Sequence, residues 1–395
     1  MKSDSKSKTA SRRINKTVRD LAPSGIRRFF GLVEKMPEAL SLSIGEPDFT
    51  TPWRICEAGI FSLERGHTHY TPNQGIRPLR VAIANYLRRR FGLDYDPDSE
   101  ILVTVGGSEA IDLALRVLLD SGSRVVIPEP CFVAYAPCTI LAGGKVIPLA
   151  TSAEDDFRLL PEPLRQASEC GDVVLFGYPN NPTGAVMSRD DLAAIAKVAI
   201  EKDLFVISDE IYAELTYVGR HTSIAGLPGM KARTLLVSGF SKAFAMTGWR
   251  LGYVCGPAEI IAELIKVHAY TLMCSPATVQ EAAVEALQNG EADVRNMVDQ
   301  YNQRRRVVLA RLKKMGLDCF EPKGAFYAFP SIRSTGLDSE TFCRLLLEEE
   351  KVAVVPGNAF GASGEGFVRI SYATALDKIE EAMVRTARFI ERHKS

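Results

Sequence analysis

The sequence lacks the features that would place the chain in a membrane, in a disulfide scaffold or on nucleic acid. No stretch of its 395 residues reaches the about 18 apolar residues of a membrane-spanning helix. Its eight cysteines form no CxxC pair and no histidine cluster accompanies them, so we predict neither a metal site nor a disulfide framework. Lysine plus arginine equals aspartate plus glutamate at 48 each, and this balance argues against an acidic partner such as nucleic acid or a membrane surface.

The first 20 residues lack the apolar segment of a secretory signal. They read MKSDSKSKTASRRINKTVRD, which is polar and basic throughout. Asp4 and Asp20 interrupt the pattern of a mitochondrial presequence, and no amphipathic stripe is evident. We therefore predict a flexible N-terminal arm over residues 1–20 and a cytoplasmic protein.

From about residue 100, short apolar runs alternate with helical patterns. The runs are rich in Val, Ile and Leu and comprise ILVTV (101–105), RVVIP (124–128), DVVLFGY (172–178), LFVISDE (204–210) and TLLVSGF (234–240). Buried strands that are separated by helices form parallel sheets with helices on both faces. The pattern predicts an α/β fold with a large domain around a mostly parallel central sheet.

The C-terminal part shows a different pattern. A long charged helix is predicted over 290–316 and a shorter helix over 339–350, with strand patterns at 324–332, 352–357 and 366–373. This mixture predicts a smaller α+β domain, and residues 21–50 are expected to pack with it. The predicted organisation is an arm (1–20), an N-terminal segment (21–50), a large domain (51–289) and a small domain (290–395).

Polar residues follow the predicted strands at their carboxyl ends, where open α/β sheets bind ligands. Gly107 and Ser108 open a helix, whose N-terminal N–H groups suit a phosphate, although a plain turn and cap fit the same residues. Asn181 lies in a turn-forming NNPTG segment, and its amide can donate to a phenolic oxygen. Seen alone, each of these segments has an ordinary structural explanation.

Two further strand ends carry charged groups. Asp209 follows a nearly unbroken apolar run and needs a cation or hydrogen bonds if it is buried, although a helix N-cap is an equal alternative. Lys242 follows TLLVSGF, and an apolar pocket would lower its pKa and make it a nucleophile. An anion cradle, a carboxylate, an amide donor, a lysine and a second cation, Arg250, together match the needs of pyridoxal phosphate.

Six segments carry a resemblance to a known family, in the order in which that family has them. They are LSIGEPDF (42–49), HYTPNQGIRPLR (69–80), YPNNPTG (178–184), SDEIYAEL (208–215), SGFSKAFAMTGWRLGY (238–253) and FVRISYA (367–373). From about residue 20 to its end, the chain resembles the class I aminotransferases of pyridoxal-phosphate fold type I. SGIRRFF (24–30) and TVGGSEAIDLALR (104–116) resemble the bacterial subgroup of aromatic and N-acetyl-diaminopimelate aminotransferases.

The resemblance implies a residue for each part of the cofactor. Lys242 would be the Schiff-base lysine and proton shuttle, Asp209 the partner of the pyridinium nitrogen, and Phe132 the aromatic ring that stacks on it. Tyr212 and Asn181 would donate to the phenolic oxygen. The groups implied for the phosphate are Gly107, Ser108, Glu109, Ser241 and Arg250, with Tyr70 reaching the phosphate of a neighbouring subunit. A homodimer with shared active sites is therefore expected.

The resemblance also implies how a substrate would bind. Arg369 would clamp the α-carboxylate, with Gly45 and Asn181 nearby. Ile26 and Phe132 are expected to line the side-chain pocket, which favours apolar or aromatic side chains. Two positions depart from the family pattern: Gly239 replaces a serine that many relatives carry, and Ser108 replaces a lysine of some aspartate-using relatives.

The implied reaction is a ping-pong transfer of an amino group from an L-amino acid to a 2-oxo acid, with 2-oxoglutarate as the expected acceptor. The substrate would be apolar, aromatic or an N-acyl diamino acid rather than strictly aspartate. A carbon–sulfur β-lyase remains an alternative, because the two activities share these motifs. A non-catalytic effector-binding module is a second alternative, but its DNA-binding domain would not fit in an arm of about 20 residues.

Overall fold

A computed structural model describes residues 13–23 and 36–393. The predicted arm lies partly outside these residues, and Ile26 with its SGIRRFF segment lies wholly outside them. The helices are α1 (Lys16–Asp20), α2 (Trp53–Glu64), α3 (Arg77–Phe91), α4 (Gly107–Leu118), α5 (Tyr135–Leu141), α6 (Pro161–Ala167), α7 (Arg189–Glu201), α8 (Ala258–Thr271), α9 (Ala277–Asn289), α10 (Glu291–Met315), α11 (Ser339–Glu350) and α12 (Leu376–His393). None of these helices is both long and apolar enough to cross a membrane.

Seven strands form the central sheet of the larger part. They are β2 (Ile101–Thr104), β3 (Arg124–Glu129), β4 (Lys145–Ala150), β5 (Val173–Gly177), β6 (Phe205–Asp209), β7 (Thr234–Gly239) and β8 (Gly252–Cys255). Their order is β2-β8-β7-β6-β5-β3-β4, and only β8 runs antiparallel to its neighbours. The predicted mostly parallel sheet is confirmed.

The sheet is covered on both faces because successive side chains of each strand point to opposite sides. In β6, Val206 packs in an apolar cluster with α7, whereas Ile207 packs in a second cluster with α4. Both side chains are fully buried. Continuous apolar runs therefore mark these strands, as the sequence pattern predicted.

A smaller unit combines the N-terminal segment with the C-terminal part. Strand β1 (Leu40–Ser41) pairs in parallel with β10 (Val352–Ala353), and β11 (Val355–Pro356) and β9 (Tyr327–Ala328) flank β12 (Val368–Ser371) in an antiparallel sheet. Helices α10, α11 and α12 pack on these strands around one apolar cluster. The strands are shorter than predicted, whereas α10 and α11 agree with their predicted ranges.

The segment that follows β1 is tied to the rest of the smaller unit at two points. The carboxylate of Asp48 pairs with the nearly buried Arg304 of α10 at 2.7 Å. In addition, Ser371 N–H donates to the carbonyl of Leu42 at 2.8 Å. Residues 43–46 lie between these two contacts and reach the larger part, where the hydroxyl of Thr247 donates to the Glu46 carboxylate at 3.1 Å.

Candidate active site

A cavity of about 510 Å³ opens at the carboxyl ends of the central strands, where the smaller unit covers them. Its walls bring together eleven of the residues singled out in the sequence, namely Gly45, Gly107, Ser108, Phe132, Asn181, Asp209, Tyr212, Ser241, Lys242, Arg250 and Arg369. These residues come from loops after five different strands, from the segment after β1 and from β12. Parallel strands whose ends meet at one edge explain how so many loops reach one cavity.

Lys242 is enclosed by the cavity wall and has few polar partners. Its Nζ donates to the carbonyl of Gly45 at 2.6 Å and lies 5.9 Å from the centre of the Tyr212 ring. Burial lowers the pKa of Lys242 to about 8, since the interior disfavours the charged ammonium; the carboxylate of Glu46 opposes this shift, and Arg369 and Arg250 add to it. A far larger fraction of this amine is therefore neutral and nucleophilic near neutral pH than of a lysine in water.

Asp209 is buried at the end of β6. One carboxylate oxygen accepts from the hydroxyl of Tyr135 at 2.7 Å, and the other accepts from Ile211 N–H at 3.1 Å. Burial raises the pKa of Asp209 to about 6, although the hydrogen bond from Tyr135 acts in the opposite direction. Gly177 makes this contact possible, because a Cβ there would stand 2.5 Å from the Tyr135 hydroxyl oxygen.

The start of α4 forms an anion cradle together with Arg250. Gly106 precedes the helix at φ +85° and has no side chain to cap it, so the first-turn N–H groups stay open. A Cβ at Gly106 would lie 2.7 Å from an Arg250 nitrogen, which places the guanidinium directly against the helix start. Gly107, Ser108, Ser241 and Arg250 all line the cavity here. A helix N-terminus beside an arginine is suited to a phosphate group.

Arg369 lies on β12, lines the cavity and is almost fully buried. It donates to the Asn181 side-chain oxygen at 2.9 Å and to the carbonyl of Ser43 at 2.6 Å, while its Nε has no partner among the described residues. Burial lowers the pKa of Arg369. Each terminal nitrogen of this guanidinium has a second N–H, and such a group on a cavity wall is suited to a carboxylate ligand.

The aromatic and amide groups between these charges are fixed by direct contacts. The hydroxyls of Tyr212 and Tyr327 are 2.7 Å apart, and burial raises the pKa of both. Asn180 ties the turn after β5 through Gly177 and Thr183, which leaves the neighbouring Asn181 to line the cavity. Phe132 also lines the cavity and packs edge-on against Tyr135.

Four charged side chains therefore line one cavity without an ion-pair partner: Asp209 and Arg369 are buried, Lys242 is partly buried and Arg250 is exposed. Asp209, Lys242, Arg250 and Arg369 each make hydrogen bonds, yet none has an oppositely charged side chain within ion-pair distance among residues 13–23 and 36–393. Buried charges are normally paired, so Asp209 and Arg369 indicate a ligand that carries both a cationic and an anionic group, and Lys242 and Arg250 add positive charge to the same cavity.

Three predicted site residues are placed elsewhere or cannot be placed. The side chain of Glu109 turns away from the cavity and contacts Val105 N–H and His268, so only its backbone belongs to the open helix start. Tyr70 is 82% exposed and lies outside the cavity walls, and its expected contact with a neighbouring subunit stays a prediction. Ile26 lies outside the described residues.

The sequence reasoning missed two tyrosines of this site. Tyr135 reaches Asp209 from α5, and Tyr327 reaches Tyr212 from β9. Two features of the sequence pointed towards them: Tyr135 follows Phe132 by three residues, and residue 45 is a glycine. In the structure, a Cβ at Gly45 would lie 2.5 Å from the Tyr327 hydroxyl oxygen. Glu46 and Thr247 also line the cavity and hydrogen-bond to each other at 3.1 Å.

Comparison with known proteins identifies close relatives over nearly the whole chain. A profile of the family described as aminotransferase class I and II matches residues 37–385. The aspartate aminotransferase of Pyrococcus abyssi is 47% identical and covers 94% of this chain and 97% of its own length. The aromatic-amino-acid aminotransferase 2 of Thermococcus litoralis is 45% identical with the same coverage.

Solved structures agree with the sequence comparison. The aromatic aminotransferase from Pyrococcus horikoshii OT3 superposes with a TM-score of 0.88 at 47% identity, over 92% of this chain and 99% of that chain. The predicted fold type is thereby confirmed. One of these three relatives is named for aspartate and two for aromatic amino acids, so they do not select a substrate for this chain.

Proposed function

This chain belongs to the class I and II aminotransferases, which depend on pyridoxal phosphate, and from that premise we propose its substrates and the roles of its residues. The proposed reaction moves an amino group from an L-amino acid with an apolar or aromatic side chain, or from an N-acyl diamino acid, to 2-oxoglutarate in two half-reactions. We also infer that the enzyme works in the cytoplasm, for the reasons that the sequence provides.

The unpaired charges around the cavity are the observation that supports this proposal. Pyridoxal phosphate has a ring nitrogen that carries a proton, a phosphate and an aldehyde, and the cavity offers a counterpart for each group. We infer that Asp209 holds the proton on the ring nitrogen, that the α4 start with Ser241 and Arg250 binds the phosphate, and that Lys242 attaches to the aldehyde. Tyr212 and Asn181 are the proposed donors to the phenolic oxygen, and Phe132 is proposed to stack on the ring.

The proposed catalytic roles follow from the same positions. When bound, the cofactor supplies an electron sink for the bond that breaks at the substrate α-carbon. Arg369 would hold the substrate carboxylate, since each of its two terminal nitrogens carries a second N–H beside the one that bonds Asn181 or Ser43. Lys242, once released from the cofactor, would take the proton from the substrate α-carbon and deliver it to the cofactor carbon that carried the aldehyde. With a pKa of about 8, its amine is suited to both steps.

The walls of the cavity support the proposed preference for apolar or aromatic side chains. Ile44, Ile111, Val133 and Phe132 contribute apolar surface to the cavity. In the described parts of the chain, Lys242, Arg250 and Arg369 are the only cations on its walls, and each already has a proposed partner. No further cation is therefore offered by the described residues to the second carboxylate of aspartate, and Ser108 stands where some aspartate-using relatives carry a lysine. That carboxylate would lose its hydration without gaining an ion pair.

A spectroscopic half-reaction tests this proposal directly. We expect the visible band of the cofactor-loaded protein to shift on addition of single amino acids, with phenylalanine, leucine or an N-acetyl diamino acid reacting fastest. Aspartate should react with a kcat/KM at least about tenfold lower, because a hydrophobic wall discriminates by this order. Stopped-flow absorbance over a panel of donors gives the ranking.

Two results of this panel would contradict the proposal. Aspartate as the fastest donor would overturn the proposed substrate class while leaving the aminotransferase assignment intact. Release of pyruvate from cystathionine, without any 2-oxo acid present, would instead indicate β-lyase activity.

We further propose that two copies of the chain associate and share their active sites. Large exposed apolar side chains concentrate in α2 and around residues 70 and 270–273, where Trp53, Tyr70 and Tyr270 are 69%, 82% and 89% exposed. Asn73 donates to the carbonyl of Met273 at 2.6 Å, which brings the last two segments together. Because an apolar surface of this kind marks an association site, we expect a dimer in sedimentation velocity. A monomer at micromolar concentration would contradict this proposal.

A further inference from the structure

A buried histidine–glutamate pair lies directly behind the anion cradle. Glu109 is the third residue of α4, and its side chain turns back so that one oxygen accepts from Val105 N–H. Its other oxygen lies 2.6 Å from Nδ1 of His268, which belongs to the last turn of α8. The two side chains are 9% and 0% exposed. An ionised carboxylate only accepts, so Nδ1 of His268 carries the hydrogen of this bond.

Glu109 provides a side-chain contact to the backbone at the start of α4, where the N-cap residue provides none. Gly106 precedes the helix and contributes no side-chain cap. The hydrogen bond from Val105 N–H to Glu109 therefore holds the chain immediately before the open N–H groups. His268 fixes the orientation of that carboxylate, so it fixes the cradle through Glu109.

The pair also matters for charge. A phosphate and a carboxylate at the same helix start would repel each other, since both favour the positive end of the helix dipole. Donation from His268 and Val105 engages both Glu109 oxygens on the side away from the cavity. The carboxylate is thereby kept away from the position where the phosphate is proposed to bind.

His268 has no other polar contact that would explain its burial. Its Nε2 is without a partner in the described parts of the chain, and its side chain lies outside the cavity walls. Burying a histidine with one nitrogen unpartnered costs desolvation free energy, so the single hydrogen bond to Glu109 is the contact that accounts for its position.

We propose that His268 is a positioning residue for the cofactor phosphate, acting through Glu109 on the start of α4. The inference rests on the proposed placement of the phosphate at this cradle. It predicts that losing the pair weakens binding of the phosphate and leaves the rest of the cofactor unaffected.

The experiment compares pyridoxal phosphate with pyridoxal, which lacks the phosphate, on cofactor-stripped protein. Dissociation constants are measured by tryptophan fluorescence for the wild type, His268→Leu and His268→Asn. We expect His268→Leu to weaken pyridoxal phosphate binding about tenfold, the size of one hydrogen bond to a charged group. Pyridoxal binding should stay within about twofold. His268→Asn should restore most of the loss, because its amide N–H can replace Nδ1.

Glu109→Ala and the double variant test whether the two residues act as one unit. The double variant should lose no more phosphate discrimination than Glu109→Ala alone, since His268 is proposed to act only through Glu109. Glu109→Ala carries the comparison if His268→Leu does not fold. The matched control is His221→Leu, because His221 is a buried histidine that lies 2.7 Å from Glu210 and outside the cradle. That control should leave the ratio of the two dissociation constants unchanged.

Three results have distinct meanings. An equal loss for both ligands, or an unchanged ratio in His268→Leu and Glu109→Ala, would overturn this inference while the proposed function stands. A wild type that binds pyridoxal as tightly as pyridoxal phosphate would overturn the proposed phosphate site and this inference together. The inference is supported if the dissociation constant of pyridoxal divided by that of pyridoxal phosphate falls in both variants and recovers in His268→Asn.

Discussion

Replacing Lys242 with alanine should abolish amino transfer, with kcat reduced at least about 10⁴-fold, since a positioned general acid–base alone contributes up to that order. The expected loss is large because one amine has two proposed roles, attachment of the cofactor and transfer of the α-proton. Burial lowers the pKa of the Lys242 amine to about 8, so it can act as a nucleophile and as a base. Arg250 and Arg369 also line the cavity but stay protonated, so neither can replace it. Steady-state transfer from the fastest donor to 2-oxoglutarate measures the effect.

Two control variants separate this role from a loss of charge or of fold. Lys242→Arg keeps a cation in the cavity but provides neither a nucleophile nor a base at neutral pH, so it should be as inactive as the alanine variant. Lys266→Ala removes a lysine that is 59% exposed and pairs with Glu263 on the same helix, and it should retain nearly full activity. If Lys242→Ala kept a rate close to that of the wild type, the assignment of this lysine would be wrong.

The sequence pattern predicts the central strands well where burial is continuous and less well at two positions. Five of the seven strands of the central sheet coincide with apolar runs, because a parallel strand that is covered on both faces has no polar side. Strand β4 lies at the edge, is partly exposed along its length and includes Pro148, so its sequence does not show a buried run. Strand β8 lies at the end of the lysine loop, and its antiparallel direction depends on how that loop returns.

The residues at strand ends were predictable for a physical reason. In a parallel sheet, the residues after each strand meet at one edge, so Lys242, Asp209 and Asn181 had to be neighbours once the strands were identified. Arg369 lies on β12 of the smaller unit, and only the family resemblance pointed to it.

The contacts that escaped prediction all depend on how one element approaches another. Tyr327 reaches Tyr212 because β9 crosses close to Gly45, and no periodicity encodes that distance. Glu109 has the position of a phosphate-binding residue in the sequence, yet its side chain turns towards His268, which is 159 residues away along the chain. Side-chain direction at a helix start is set by such tertiary partners as well as by local sequence.

Replacing Asp209 with asparagine should lower kcat on the order of 10³-fold, the effect of losing one preorganised electrostatic contact to the reacting group. Asparagine fits the same space but cannot hold a proton on the cofactor ring nitrogen by charge. The substrate dissociation constant should change little, because Arg369 and the α4 start are untouched. Single-turnover absorbance with the fastest donor separates the two quantities.

The same substitution should stabilise the cofactor-free protein, and the gain in stability should grow with pH. Burial raises the pKa of Asp209 from 3.8 to about 6 in the folded state, so the folded chain binds more protons than the unfolded chain between these values. Stability therefore falls as pH rises through this window, and the full cost of the ionised carboxylate is present above it. Asp209→Asn removes that cost and should raise the free energy of unfolding by on the order of 2 kcal/mol at pH 7.5, with little gain near pH 4.

Tyr135→Phe is the matched variant, because it shifts stability in the opposite direction. Loss of the Tyr135 hydroxyl removes the hydrogen bond that favours the ionised carboxylate, so the cofactor-free protein should lose about 1 kcal/mol above pH 6. Activity should fall in both variants, about tenfold in Tyr135→Phe, although their stabilities diverge. Urea unfolding of both variants at pH 4 and pH 7.5 tests this pairing. Equal pH profiles for Asp209→Asn and the wild type would show that the carboxylate is not held ionised at a cost, and that its position is structural rather than built for a cationic ring.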